Sequence, residues 1–264
     1  MRRRESPGAR DADDADRHAL TVDDVGDPAG EPVVYLHGGG DSRLTRHPDD
    51  AIAAGLGIRV LAVERSGRAR GLRSLREWGE ATAAALGVDR FGVVGWSAGG
   101  PHALALAAVA ADRVTRVALV GSMPPPDLVG LLPRDIRTAV RAARVAPGYV
   151  ARRLERWGRE AAPPTGDAAS DDAYARGRVE SFRHGGLWLA QELAYLGRPW
   201  GFEVRSVTAP VTLWWGEGDT VCPPAIGRAY AERLPNAELR LVAGTHQVLF
   251  PRWREILASV TAAA

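Results

Sequence analysis

A serine between two glycines is the first place where this chain could do chemistry. Gly95-Trp96-Ser97-Ala98-Gly99 joins the apolar run Phe91–Trp96 to an alanine-rich stretch, Ala98–Ala111. A strand passing directly into a helix must turn sharply, and Ser97 stands at the apex of that turn. Side chains two residues to either side would collide across it, and glycine at both places removes the collision. The hydroxyl then sits at a helix N-terminus, where unpaired N–H groups can hold a developing anion. Such a group suits nucleophilic attack on an acyl carbon, provided a base takes its proton. A glycine-rich chain produces the pattern by chance, so its strand–turn–helix setting is what separates it from a serine that only caps a helix.

Three further segments supply what a nucleophilic serine needs. His37-Gly38-Gly39-Gly40 follows the apolar run VVYL, and glycines there let the backbone approach a substrate carbonyl. The Gly39 N–H, paired with that of Ala98, would make a two-donor oxyanion hole, with Gly38 the neighbouring candidate. His37 reads as a brace for the loop. Trp214-Trp215-Gly216-Glu217-Gly218-Asp219 is an apolar run ending in a loop with two acids, and Asp219, further past the run, is preferred over Glu217. Gly244-Thr245-His246 is a loop after another apolar run, so the order is serine, acid, histidine. Of the other histidines, His18 and His47 read as surface residues. His102 lies one turn into the buried helix, and His184 falls in a later helical block where it could line a pocket. Cys222, beside the acid loop, reads as a small packing residue.

Composition narrows the classes. The 264 residues include 34 basic side chains, all of them arginine, so lysine chemistry (a Schiff base, a pyridoxal enzyme, a lysine-bearing phosphate loop) is excluded. Net charge is only +2 because 32 carboxylates are interspersed, which argues against a nucleic-acid partner. One cysteine permits neither an internal disulfide nor a thiolate zinc cluster. No apolar run is long enough to span a membrane. Residues 1–17 are charged and poor in large apolar side chains, which predicts a disordered tail on a cytoplasmic protein.

Strand-like runs His18–Val22, Pro32–Leu36, Ile58–Val63, Phe91–Trp96, Val114–Val120, Val211–Trp215 and Glu238–Val242 alternate with helical patterns at Leu72–Leu86, Ala98–Ala111, Pro224–Leu234 and Val248–Val260. That alternation predicts an α/β protein with a mainly parallel sheet. Between about Met123 and Ser206 the strand signal disappears. Helical segments are expected there at Arg134–Val145, Gly148–Glu160 and, after a break over Ala162–Asp172, Arg178–Leu196.

The motifs HGGG, GWSAGG, WWGEGDTVCPP and GTH together resemble the α/β-hydrolase fold superfamily, in its capped serine esterase-like group. The resemblance runs from about His18 to the C-terminus. It implies a mostly parallel eight-stranded sheet with helices on both faces, a core of residues 18–123 and 207–264, and a helical cap over 124–206. It also implies Ser97 as nucleophile, Asp219 as acid and His246 as base, with Gly39, Ala98 and Gly38 around the oxyanion and Trp96, His184 and Trp188 at the pocket. Hydrolysis of a carboxylic ester or related acyl bond of a small molecule follows, with no metal or organic cofactor. The same fold also serves C–C bond, lactone or thioester hydrolysis, perhydrolysis, a non-hydrolytic pathway enzyme or a ligand-binding protein. One departure stands out: Glu64-Arg65-Ser66-Gly67 replaces the family's frequent Asp-Arg-Pro-Gly loop.

Overall fold

The computed structural model describes residues 20–65 and 74–261. The tail 1–17, the start of the strand expected from His18, and Ser66 and Gly67 lie outside the described residues. Seven strands form one sheet in the order β1-β3-β2-β4-β5-β6-β7: β1 Val22–Gly26, β2 Glu31–Leu36, β3 Ile58–Val63, β4 Phe91–Trp96, β5 Val114–Val120, β6 Val211–Gly216 and β7 Ala237–Val242. Only β1 runs antiparallel, against β3, and every other pairing is parallel. Among the described residues the sheet therefore has seven strands, where eight were expected. The eighth rested on the family resemblance alone, since the sequence contains only seven strand-like runs.

The first strand lies later than expected, at Val22–Gly26. Its VDDVG sequence is a poor buried strand, but an edge tolerates the acids: Asp24 Oδ1 accepts from Arg59 Nε at 2.9 Å across the β1–β3 pair. The central strands, by contrast, are covered on both faces, which explains their continuous apolar runs. Val34, Leu36 and Val93 face one core with Trp78, Leu104 and Ile226, whereas Val33, Tyr35 and Val94 face a second with Trp253 and Ile256.

Nine helices accompany the sheet among the described residues, counting α-helices only: α1 Ala51–Ala54, α2 Leu75–Ala85, α3 Gly99–Val109, α4 Arg134–Ala143, α5 Pro147–Gly158, α6 Ala168–Ser181, α7 Leu187–Leu196, α8 Pro224–Arg233 and α9 Trp253–Ala258. The strongly apolar α3 is buried from Gly99 to Ala107, as its lack of a polar face requires. Four helices, α4 to α7, occupy the connection between β5 and β6. The single helix expected over Arg178–Leu196 is two. Asp167 accepts from the Ala169 and Ser170 N–H groups and starts α6 early, while a turn through Gly185 and Gly186 separates it from α7. The last helix is also shorter than expected, because Pro251 removes a backbone donor and α9 begins only at Trp253. No helix among the described residues is long and apolar enough to cross a membrane.

Candidate active site

Parallel strands β2, β4, β6 and β7 deliver the expected residues to one end of the sheet, their C-terminal ends, with β5 beside them. Ser97 follows β4 directly. Its φ is +55°, and it is the only non-glycine residue with positive φ among the described residues. That strain is held from both sides: its N–H donates to Val120 O at 2.9 Å, and its carbonyl accepts from Met123 N at 3.0 Å. Helix α3 then starts so close to β2 that a Cβ on Gly99 would lie 2.1 Å from Leu36 O and 2.6 Å from His37 O. Gly99→Ala should therefore cost about 1–3 kcal/mol of stability or more. A urea titration should show the lowered midpoint.

Asp219 is buried in the loop after β6, three residues beyond the strand end. Its Oδ1 accepts from the Val221 and Cys222 N–H groups, both at 2.8 Å, and its Oδ2 lies 2.8 Å from His246 Nδ1. Two backbone donors thus aim the carboxylate, whose other oxygen fixes the imidazole through Nδ1 and leaves Nε2 as the ring's remaining nitrogen. Glu217, the other acid of the loop, is exposed, and Asp219 is the one that reaches His246. The pair backs onto Gly121, the residue after Val120. A Cβ there would lie 2.9 Å from Asp219 Oδ2 and 3.1 Å from His246 Nδ1. Among the described residues the Ser97 hydroxyl makes no hydrogen bond to His246. Such bonds often tighten only when substrate is bound.

The glycine loop after β2 packs on the start of α3. A Cβ on Gly39 would touch the Ala98 methyl at 3.3 Å and Leu189 Cδ1 of α7 at 3.3 Å. Gly38 is buried behind it, and its carbonyl is held by Arg65 Nη2 at 2.9 Å and by His37 Nδ1 at 2.9 Å. His37 is fully buried, and burial together with the Arg65 guanidinium lowers its pKa, so it braces the loop as a neutral ring.

The sequence pattern of the alpha/beta hydrolase fold family matches residues 31–252, which include every element from β2 to the loop of His246. The chain belongs to that family. No curated protein sequence matches this α/β hydrolase significantly. Its fold is similar to that of the esterase RhEst1 from Rhodococcus sp. ECU1013, at 23% identity and a TM-score of 0.66, over 92% of this chain and 95% of that one. A bromoperoxidase from Bacillus anthracis superimposes with a TM-score of 0.65 at 18% identity, covering 89% and 90% of the two chains. An esterase from Exiguobacterium antarcticum gives 0.64 at 15% identity, covering 90% and 92%. These likenesses are of fold.

The three residues expected at the pocket take other places in this hydrolase. Trp96 is 1% exposed and works from beneath: its Nε1 donates to His246 O at 3.0 Å, and its ring lies 5.6 Å from the imidazole. His184 is exposed and accepts from Arg183 Nε, because the turn between α6 and α7 carries it outward. Trp188 is buried, with Nε1 donating to Ser181 O at 2.9 Å, and it closes the end of α6. A cavity of about 560 Å³ lies between α5 and α6, lined by Glu155, Arg178 and Phe182 among others, and neither Ser97 nor His246 borders it.

Sequence reasoning missed a buried polar cluster beside the glycine loop. Arg65, Glu192, His102 and Tyr195 are all buried there, and Arg65 is ion-paired to Glu192. Burial raises the Glu192 carboxyl to about 7 against the pull of Arg65, and burial likewise raises Asp41 to about 7. His102 is pushed well below its usual pKa, first by burial and then by Arg65. The only signal in the sequence was the departure at Glu64-Arg65, since nothing in the α7 sequence announces a partner for it.

Proposed function

We propose that this α/β hydrolase cleaves a carboxylic ester or related acyl bond of a small molecule through a Ser97–His246–Asp219 triad. The observation that carries the reading is the convergence of a backbone-strained Ser97 with a buried His246–Asp219 pair at one end of the sheet. His246 Nε2 takes the hydroxyl proton as Ser97 Oγ bonds to the acyl carbon, and Asp219 stabilises the resulting imidazolium. The carbonyl oxygen becomes an oxyanion that accepts from the Gly39 and Ala98 N–H groups. As the C–O bond to the alcohol breaks, the imidazolium returns its proton to the leaving oxygen, and an acyl-enzyme remains. Water, deprotonated by the same histidine, attacks that acyl group and restores Ser97. Helices α4 to α7 form the cap of this reading, with Leu189 bounding the acyl site over Gly39. No metal or organic cofactor takes part.

A fluorophosphonate probe tests the reading directly, because it phosphonylates only an activated serine. We expect one probe per chain, located on Ser97 by peptide mass analysis, with no labelling of Ser97→Ala. A folded wild-type chain that stays unlabelled while a control hydrolase reacts would overturn the reading. A panel of alkyl, aryl, thioester and lactone substrates then identifies the acyl group accepted.

A further inference from the structure

Helix α7 belongs to the segment between β5 and β6, yet one of its faces reaches both halves of the candidate oxyanion hole. Leu189, Glu192 and Tyr195 recur every three residues and so lie along one side of the helix. Leu189 packs over Gly39 and Gly40. Glu192 is ion-paired to Nη1 of Arg65, whose Nη2 donates to His37 O at 2.6 Å and to Gly38 O at 2.9 Å. The second of these carbonyls belongs to the same peptide unit as the Gly39 N–H, so holding that oxygen sets the direction of the donor. Tyr195 completes the other arm. Its hydroxyl is hydrogen-bonded to His102 Nε2, and His102 Nδ1 lies 2.8 Å from Ala98 O. That carbonyl lies in the peptide unit after the second proposed donor, so this arm holds Ala98 through ψ, while the Ser97 carbonyl in the donor's own peptide unit accepts from Met123 N at 3.0 Å.

We infer that α7 positions the oxyanion hole: Glu192 acts on Gly39 through Arg65, and Tyr195 acts on Ala98 through His102. The inference rests on the serine-hydrolase reading for its catalytic consequence, and on geometry alone for the clamp itself. Arg65 suits the task because its planar guanidinium serves the two carbonyls from Nη2 and the carboxylate from Nη1, whereas an ammonium would have to reach all three from one nitrogen. All four side chains are positioning residues, since none is placed to touch the reacting atoms. The arrangement also makes the hole depend on the seating of α7, so that loss of its contacts disarms the site without altering Ser97, His246 or Asp219.

The test compares Arg65→Met, Arg65→Lys, Glu192→Gln, Glu192→Leu and Tyr195→Phe with the full wild-type chain, each normalised to fluorophosphonate-reactive sites. Arg65→Met should lower kcat about 10²-fold with KM changed less than about 3-fold, the signature of a lost transition-state donor. Arg65→Lys should recover little of it. Glu192→Gln keeps an acceptor for Arg65 and should retain far more kcat than Glu192→Leu, while Tyr195→Phe, the variant least able to disturb folding, should lose about tenfold. The backbone ¹⁵N–¹H signals of Gly39 in Arg65→Met and of Ala98 in Tyr195→Phe should shift, with that of the remote Gly87 unmoved. Lower melting temperatures with kcat per reactive site unchanged, or unmoved Gly39 and Ala98 signals, overturn the inference. A wild-type chain that neither labels nor turns over refutes the hydrolase reading instead, and the amide signals then decide the clamp by themselves.

Discussion

Removing the nucleophile or its base is expected to lower kcat toward an activated ester by about 10⁵–10⁶-fold, and removing both should cost no more than removing either. The reason lies in how the pair shares one task. In the proposed triad, Ser97 is a weak nucleophile until His246 Nε2 takes its proton, and His246 has nothing to deprotonate once the hydroxyl is gone. Ser97→Ala, His246→Ala and the double variant, measured by steady-state hydrolysis of a 4-nitrophenyl ester, should therefore fall to one common floor. That floor should remain above the uncatalysed rate, because the Gly39 and Ala98 N–H groups still favour the oxyanion formed by attacking water. Losses that multiply in the double variant would mean the two residues work independently, and the triad would be wrong. Ser97→Ala should fold normally: the strain at φ +55° belongs to the backbone, and the bonds to Val120 O and Met123 N do not involve the side chain.

Asp219→Asn should lower kcat by about 10⁴-fold while leaving the fold intact. The hydrogen bonds around the carboxylate determine this outcome. Oδ1 accepts from two backbone N–H groups, so the asparagine oxygen must stay on that side and its NH₂ must face His246. A donor aimed at Nδ1, 2.8 Å from the replaced oxygen, forces the imidazole proton onto Nε2. A protonated Nε2 cannot take the Ser97 proton. Glu217→Gln provides the contrast, since Glu217 is exposed and its N–H merely pairs with Val242 O. It should keep kcat within about twofold, as surface changes away from a site usually do. A large loss at Glu217 with a small one at Asp219 would reverse the choice of acid. Esterase assays from pH 5 to 9 on both variants would show it.

Much of this molecule was legible from local pattern. The serine turn could be read because a strand that is apolar throughout, a glycine on either side and a helix without a polar face all constrain the same few residues. His246 could be singled out as a candidate because it stands in a loop after a late strand, and the structure places it 2.8 Å from Asp219 Oδ2. Six strands were readable as apolar runs, the first was expected four residues too early because VDDVG is not apolar, and the eighth, which no run supported, does not occur among the described residues. Helix boundaries were less secure. Asp167 and Pro251 act at single positions, and a single residue moves an end without changing the periodicity around it.

What the sequence determined by itself was the order of elements and the place of the serine turn between a strand and a helix, because periodicity, turn chemistry and residue type are properties of neighbours along the chain. Tertiary structure alone decided three things. It buried Asp219 against His246 and left Glu217 exposed, though a single residue separates them. It moved Trp96 and Trp188 from an expected pocket into packing roles and put His184 at the surface, since an aromatic or imidazole side chain carries no local mark of which way its element faces. And it joined Arg65 to Glu192 and His102 to Tyr195, pairs 127 and 93 residues apart. Contacts at such separations arise only when independent elements pack, so their energies are set by the three-dimensional arrangement and leave no periodicity to read.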